Sequence, residues 1–287
     1  MLVTIFTPSY NRAATLPRLY KSILKQTCRD FCWLIVDDGS TDNTEELVKE
    51  WRTEGKIEIH YFKQENQGKP MAHNKGVELA DTELFVCVDS DDYLVDNAVE
   101  EIALCWQDSR ETDVGILAFK TSEDKAITVI KYGGENVRTT LKNAYDRLGL
   151  IGDTMLVFRT EIVKKYAFPK FSGEKFVPEG YLYDLIDQEG KLILLEKSLY
   201  ICEYRKDGYT SNMAELLKNN PRGYLAFIKQ RLQIDKTVKE KFLDSIRYVA
   251  MAKVYKIRVI ENAVYPSYAL LAYPAGLLFY YIRYKNI

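Results

Sequence analysis

Only two histidines and five cysteines occur in the 287 residues. Cys28 and Cys32 lack the second cysteine pair or the histidines that complete a zinc site. Cys87 and Cys105 lie in apolar contexts and read as core. An odd cysteine count without a disulfide framework fits a reduced, cytosolic compartment. Basic excess is also missing: 40 Lys and Arg stand against 41 Asp and Glu, a net charge of −1. That argues against nucleic acid as a partner, since such binders usually carry a basic face. No G-x-G-x-x-G turn follows the first apolar run, which counts against a dinucleotide-dependent oxidoreductase. No signal peptide is visible, because MLVTIFTPSYNR runs straight into a strand and then into polar residues.

What is present is enough for a core. Apolar residues make up 47% and charged residues 28%, ordinary values for a globular chain. The length suits one large domain or a domain with an appendage. The chain is organised around Leu84 to Tyr93, LFVCVDSDDY. Its apolar half has no polar residue to face water, so it reads as a strand buried on both faces of a parallel sheet. The run stops at Asp89, Asp91 and Asp92. Acids at the carboxyl end of such a strand sit where open α/β sheets bind ligands. Three neighbouring carboxylates repel one another unless a cation or buried protons compensate. Mg²⁺ or Mn²⁺ suits hard oxygen ligands, with one or two carboxylates and substrate phosphates around it. Asp89 and Asp91 are therefore candidates for a metal–diphosphate site. The alternative is a solvated acidic turn that starts the next helix, a role open to Asp92 and Asp96.

Taken in order, the first hundred residues alternate. Strands are expected at 2–7, 31–36, 57–62 and 84–88. Helices are expected at 16–26, 45–51, 68–80 and 97–106. Four repeats of strand and helix predict a parallel, doubly wound sheet with helices on both faces. Each strand ends in polar residues: Tyr10-Asn11-Arg12, Asp37-Asp38, Asn66-Gln67 and Asp89 to Asp92. One sheet edge would collect all four.

Five segments then match a family in order and spacing. They are Thr7-Pro-Ser-Tyr-Asn-Arg12, Val36-Asp-Asp-Gly-Ser-Thr-Asp42, Asn66-Gln-Gly, Ala72-His-Asn-Lys-Gly76 and Asp89-Ser-Asp-Asp92. Together they resemble the family 2 glycosyltransferases of the GT-A fold. The resemblance covers about the first hundred residues, and the combination is far more specific than a lone Asp-x-Asp. It implies inverting transfer of a sugar from a nucleotide-diphosphate donor, most readily a UDP-sugar, with Mg²⁺ or Mn²⁺. It implies that Pro8, Tyr10 and Arg12 line the nucleotide pocket, that Asp38 accepts a hydrogen bond from the base, and that Asp89-Ser90-Asp91 is the metal motif. Asp91 would be the direct ligand and Asp89 would lie nearer the ribose. His73 stands where the family often has arginine and is read as packing, which leaves Lys69 as the cation for a phosphate. The alternative for Lys69 is a solvated loop lysine.

In the second half, strands are expected at 114–119, 127–132 and 154–158, and helices at 137–148 and 161–166. The family places its catalytic base in a loop before a helix, often as a Glu-Asp pair. This sequence has Glu179-Gly180 instead, and Glu179 is the expected base. An acid at a helix N-terminus stays ionised at pH 7. Glu174 is the second candidate, with Asp184 and Asp187 behind it inside the helix. The departure from the pair keeps a second class open, a sugar-nucleotide-binding protein that has lost its base. The loop 207–212 resembles the one that some members place after the acceptor site, and Arg205 ahead of it would face the diphosphate.

The expected division is a GT-A domain over 1–212 and a helical region over 213–287. Ala263 to Ile282 holds no charge, five tyrosines, Pro266 and Pro274. It is near the ~20 residues of a membrane span. The prolines and tyrosines fit a bent element in the headgroup region better than a straight span. The other expectation is a helix hairpin packed on the core. The implied acceptor is a glycan or lipid-linked glycan of surface polysaccharide synthesis. The expected location is cytoplasmic, peripheral on the membrane's cytoplasmic face through 263–287.

Overall fold

A computed structural model describes residues 1–134, 136–202 and 213–285. These form two units. One comprises Met1–Ala167 with 182–202, and the other Phe168–Tyr181 with 213–285. The boundary expected at 212, together with Arg205 and the loop 207–212, lies outside the described residues.

Unit one is an α/β sheet. The elements run β1 (Val3–Ser9), α1 (Leu16–Leu24), β2 (Phe31–Asp37), α2 (Thr44–Glu54), β3 (Ile59–Lys63), α3 (Lys69–Leu79), β4 (Leu84–Cys87), β5 (Tyr93–Leu94) and α4 (Ala98–Trp106). There follow β6 (Asp113–Thr121), β7 (Arg138–Thr139), α5 (Leu141–Asp146), β8 (Thr154–Arg159), α6 (Thr160–Val163), α7 (Gly180–Ile186) and β9 (Lys191–Ile201). The sheet order is β3-β2-β1-β4-β8-β6-β9-β5, with β7 on β9. The four strands expected from the alternation are mutually parallel. Beyond β4 the sheet is mixed: β8 runs antiparallel to β4 and β6, and β9 runs parallel to β6.

The strands pack on both faces, as their continuous apolar character requires. Val3, Ile5, Trp33, Ile35, Leu84 and Val86 join helix residues Leu19, Ile23, Val48, Trp51, Val99 and Ile102 on one side. Phe6, Leu34, Val36 and Phe85 join Ala72, Val77, Ala144 and Val163 on the other. Within the first layer Tyr20 stacks on Trp51 at 4.2 Å between ring centroids. In the second, α3 lies close on β1, because a Cβ on Gly76 would run into the Phe6 ring.

Two expectations for the second half need correction. Ile127 to Tyr132 is not a strand; only Val129 forms a bridge, to Ile151. Both edges of β6 are already taken by β8 and β9, so no ladder remains for it. The helix expected over 137–148 shortens to α5, with Thr140 capping it through Oγ1 to the Asn143 N–H at 3.1 Å. The apolar stretches at 191–195 and 198–201 form one strand, β9. Its register on β6 slips between Leu195 and Ser198.

Unit two is helical: α8 (Met213–Asn219), α9 (Pro221–Ile234), α10 (Val238–Val254) and α11 (Pro266–Arg283). Leu225, Ile228, Tyr248, Val249, Met251 and Ala269 form its core. The segment Phe168–Tyr181, placed by sequence in the first domain, belongs here. Asn220 Oδ1 accepts the N–H groups of Lys175 and Phe176 at 2.9 and 3.1 Å, and Gln230 donates to the Tyr181 carbonyl at 2.7 Å. α10 carries a complete capping box, Thr237 with Glu240.

Candidate active site

Parallel β1, β2, β3 and β4 deliver their carboxyl ends to one edge of unit one. Pro8 is buried at the end of β1. Val88 N–H donates to the Phe6 carbonyl at 2.8 Å, and proline, which lacks an N–H, cannot make the next bond of that parallel ladder, so the β1–β4 pairing ends here. Tyr10 follows and is exposed, and Arg12 is half-buried. Asn11 between them has φ of 53°, a left-handed conformation that asparagine tolerates.

This turn is stitched to the one after β2. Asn11 N–H donates to Ser40 Oγ at 2.8 Å, Thr41 N–H donates to Asn11 Oδ1 at 2.8 Å, and Arg12 N–H donates to Thr44 Oγ1 at 3.2 Å. Ala13 N–H donates to Asp42 Oδ2 at 3.0 Å. Burial works against the Asp42 carboxylate, but hydrogen bonds from Thr44 and Ala13 prevail and hold its pKa below the usual range.

Asp37 and Asp38 both serve the scaffold. Asp37 accepts from the Ser40 N–H at 2.7 Å and from the Tyr61 hydroxyl at 2.5 Å. Burial, and then Asp37 itself, push the Tyr61 phenol up. Asp38 is 3% exposed. Its Oδ1 accepts from Gln64 Nε2 at 2.8 Å and from the Gln67 N–H at 2.9 Å, and its Oδ2 accepts from the Gly68 N–H at 2.7 Å. Three of its roughly four acceptor positions are thus filled by its own chain. Between the two loops Gly39 takes φ of 83°, and a Cβ there would strike the Asn66 backbone nitrogen.

Gly68 leads into α3, and Lys69 on its first turn reaches the end of β4. Lys69 Nζ lies 2.6 Å from Asp89 Oδ1, with both side chains part-exposed. The neighbouring acids have different fates. Asp92 is buried and its Oδ2 accepts from the Tyr200 hydroxyl at 2.8 Å, while Tyr200 Oη accepts from the Asp89 N–H at 2.9 Å. Burial first, then Asp89 and Asp92, push the Tyr200 phenol well up. Arg18 donates to the Asp91 carbonyl and lies over the Tyr93 ring, 4.7 Å from its centroid. Asp91 itself is half-buried. The N-cap position of α4 is Asn97, not Asp92 or Asp96, and the Val99 N–H of its first turn donates to Gln26 Oε1 at 3.0 Å.

The contacts therefore link Tyr10 and Arg12, through 40–44, to Asp38, then through Gly68 and Lys69 to Asp89. Lys69 is not a solvated loop residue. His73 packs edge-on against Phe6 and Phe85 at 5.6 and 5.5 Å. Tyr200 and Arg18 carried no sequence signal: one is a strand tyrosine among 21, the other a helix arginine.

Among the described residues no group of three His, Cys, Asp or Glu side chains converges on a cation position. The donor set at 89–91 still fits a hard divalent ion that takes its other ligands from substrate and water.

In unit two, Glu179 is exposed and immediately precedes α7. Glu174 has a structural duty instead. Its Oε1 accepts from the Arg222 N–H at 3.1 Å and Arg222 Nε at 2.9 Å, and its Oε2 accepts from the Gly223 N–H at 2.8 Å. These are first-turn donors of α9, so Glu174 caps that helix from a distance. In unit one Asp187, just past α7, accepts from the N–H groups of Leu141 and Lys142 at 2.6 and 2.8 Å. Burial raises its pKa, against the pull of those bonds.

Residues 4–166 match the family model described as glycosyl transferase family 2. The chain is 24% identical over 221 residues to the glycosyltransferase GlyG of Streptococcus pneumoniae, covering 71% of each. It is 28% identical over 218 residues to GlyA of the same organism, covering 71% of this chain but 31% of that longer protein. Among solved structures, S. aureus TarS 1–349 superposes with a TM-score of 0.65 at 18% identity, covering 98% of this chain and 89% of that one. The same TarS fragment has been solved with UDP-GlcNAc. A mannosyltransferase from Pyrobaculum calidifontis, solved with GDP-Man and Mn²⁺, superposes at 0.56 and 17% identity, covering 97% and 80%. With the family model spanning more than half of the chain, on top of a sheet edge carrying that family's motifs, this protein is a member of glycosyl transferase family 2.

Proposed function

We propose that this enzyme transfers a sugar, with inversion, from a UDP-sugar to a glycan or lipid-linked glycan in surface polysaccharide synthesis. The observation that carries the reading is the linked set at the sheet edge, from Tyr10 and Arg12 through Asp38 to the Lys69–Asp89 pair. Tyr10 offers an exposed ring for a base, and Pro8 and Arg12 shape that end of the pocket. The remaining acceptor position on Asp38 suits a ring N–H. Lys69 passes from Asp89 to the diphosphate when donor arrives.

Asp91 and Asp89 would hold Mg²⁺ or Mn²⁺, which supplies positive charge to the leaving diphosphate when bound. Glu179 takes the proton from the acceptor hydroxyl as it attacks the anomeric carbon and the nucleoside diphosphate leaves. TarS with UDP-GlcNAc supports the choice of a uridine donor, and the P. calidifontis enzyme with Mn²⁺ supports a divalent ion. A lipid-linked acceptor would bring the chain to the cytoplasmic face of a membrane, and residues 263–287 are the segment we assign to that contact.

The test is a panel of UDP-, GDP- and dTDP-sugars. One class should raise the melting temperature in the presence of Mn²⁺, since a ligand for the folded state stabilises it. Turnover of that donor on a matched acceptor should follow, and Asp91→Asn should remove the Mn²⁺-dependent part of the shift. Stabilisation by donor without turnover on any acceptor would instead mark a binding protein.

A further inference from the structure

The last helix is built inside out. α11 sets its small residues, Ala269, Ala272 and Gly276, against its own unit. A Cβ on Gly276 would strike Val249 of α10, so the approach is close. Tyr273, Phe279 and Tyr280 pack partly on the same core, but four of its large aliphatic residues face away: Leu270, Leu271, Leu278 and Ile282 are 66%, 71%, 61% and 74% exposed. With exposed Pro274 and Tyr281 they recur every three to four residues, which places them along one side of the helix. A surface helix in water shows the opposite arrangement, with its apolar side inward.

Charge surrounds this stripe without entering it. No charged residue occurs between Glu261 and Arg283. Arg283 and Lys285 follow, both exposed, and Lys285 Nζ lies 4.4 Å from the centroid of the Tyr281 ring. A cation thus stands at the rim of the apolar side. The wider region agrees. Residues 213–287 hold thirteen Lys and Arg against five Asp and Glu, a net of +8. The whole chain nets −1, so residues 1–212 net −9. Among the described residues no helix is long and apolar enough to cross a membrane. An apolar side with basic flanks and no span is the pattern of an interfacial helix. A second copy of the chain is the poorer occupant, because two regions of net +8 repel.

We infer that α11 lies along an anionic lipid surface, with the Leu270–Ile282 side at the headgroup–acyl boundary and Arg283 and Lys285 on lipid phosphates. This rests on the membrane contact proposed for residues 263–287, and adds a face and a lipid charge to it. Attraction between basic residues and anionic headgroups fades with salt, whereas the apolar contact does not.

Sedimentation of the full chain with vesicles tests both parts. One set is phosphatidylcholine, the other phosphatidylcholine mixed with phosphatidylglycerol. We expect binding to the mixed vesicles, weakened by salt, and roughly tenfold or more weaker binding to phosphatidylcholine alone. Leu271→Glu with Ile282→Glu should abolish binding to both while leaving the circular dichroism and donor affinity unchanged, since both side chains are exposed. Arg283→Glu with Lys285→Glu should remove the preference for the anionic set. Equal binding to the two sets would overturn the lipid charge yet keep the membrane contact. No binding to either would overturn both. A dimer lost in the Leu271→Glu, Ile282→Glu variant, without vesicle binding, would hand this face to a second copy.

Discussion

Lys69 Nζ stands 2.6 Å from Asp89 Oδ1, joining the first turn of α3 to the end of β4. A cation at a helix N-terminus works against the helix dipole, and the carboxylate offsets it. The pair also brings together two residues of different origin in sequence: a lysine from a glycine-led turn and the first acid of the metal motif. In the donor-bound enzyme they would serve the same diphosphate from two sides.

Lys69→Gln should therefore weaken donor binding by about tenfold, or ~1.4 kcal/mol, a moderate value for a part-exposed charge. Metal binding without donor should tighten, because Asp89 loses its internal cation. Calorimetry with Mn²⁺ alone and with donor separates the two effects. Unchanged donor affinity would return Lys69 to the scaffold.

Asp38→Asn should weaken a bare diphosphate as well as UDP. The carboxylate holds the Gln67 and Gly68 N–H groups that set the start of α3. UDP should lose more than diphosphate if the spare acceptor position meets the base. Equal losses would remove the base contact, and an intact diphosphate affinity would remove the loop duty.

Tyr200→Phe deletes the hydroxyl between the Asp89 N–H and the Asp92 carboxylate. Losing both bonds should cost about 1–3 kcal/mol of stability. As Tyr200 positions the acids without touching donor, the affinity for Mn²⁺ should fall several-fold. The KM for acceptor should stay put, which a general loss of fold would not allow.

Glu174→Gln and Glu179→Gln should part company. Glu174 holds the start of α9, so its amide should lower the melting temperature and keep most transfer. Glu179→Gln should keep stability and donor affinity but lose about 10²–10⁴-fold in rate, the usual loss for a general base. A Glu179→Gln enzyme within a few-fold of the parent would overturn that role.

Sequence revealed the parallel half because both faces of β1, β2 and β4 are covered. Such strands must be apolar throughout and must end where backbone meets ligand. Ile127 to Tyr132 misled because an apolar run is only a strand where an edge is open to receive it. Glu174 was an acceptable base on local grounds. Its structural duty is to a helix start about fifty residues later, a pairing that no local pattern encodes. Asp38 was legible as part of the polar end of β2, but its donors from 64–68 were not. The same holds for Phe168–Tyr181, whose partners are the C-terminal helices.

The Tyr200 bridge has a temporal side. The parallel half of the sheet is complete in sequence by Cys87, but the residue that fastens the Asp89 to Asp92 turn arrives 111 positions after Asp89. A nascent chain emerging from the ribosome would thus close its first core well before its acids are set. Ribosome-bound chains ending short of β9 should hold a folded β1–β4 layer with an acidic turn still open to solvent. Donor competence then begins only when β9 joins the sheet, so synthesis itself would order the two events.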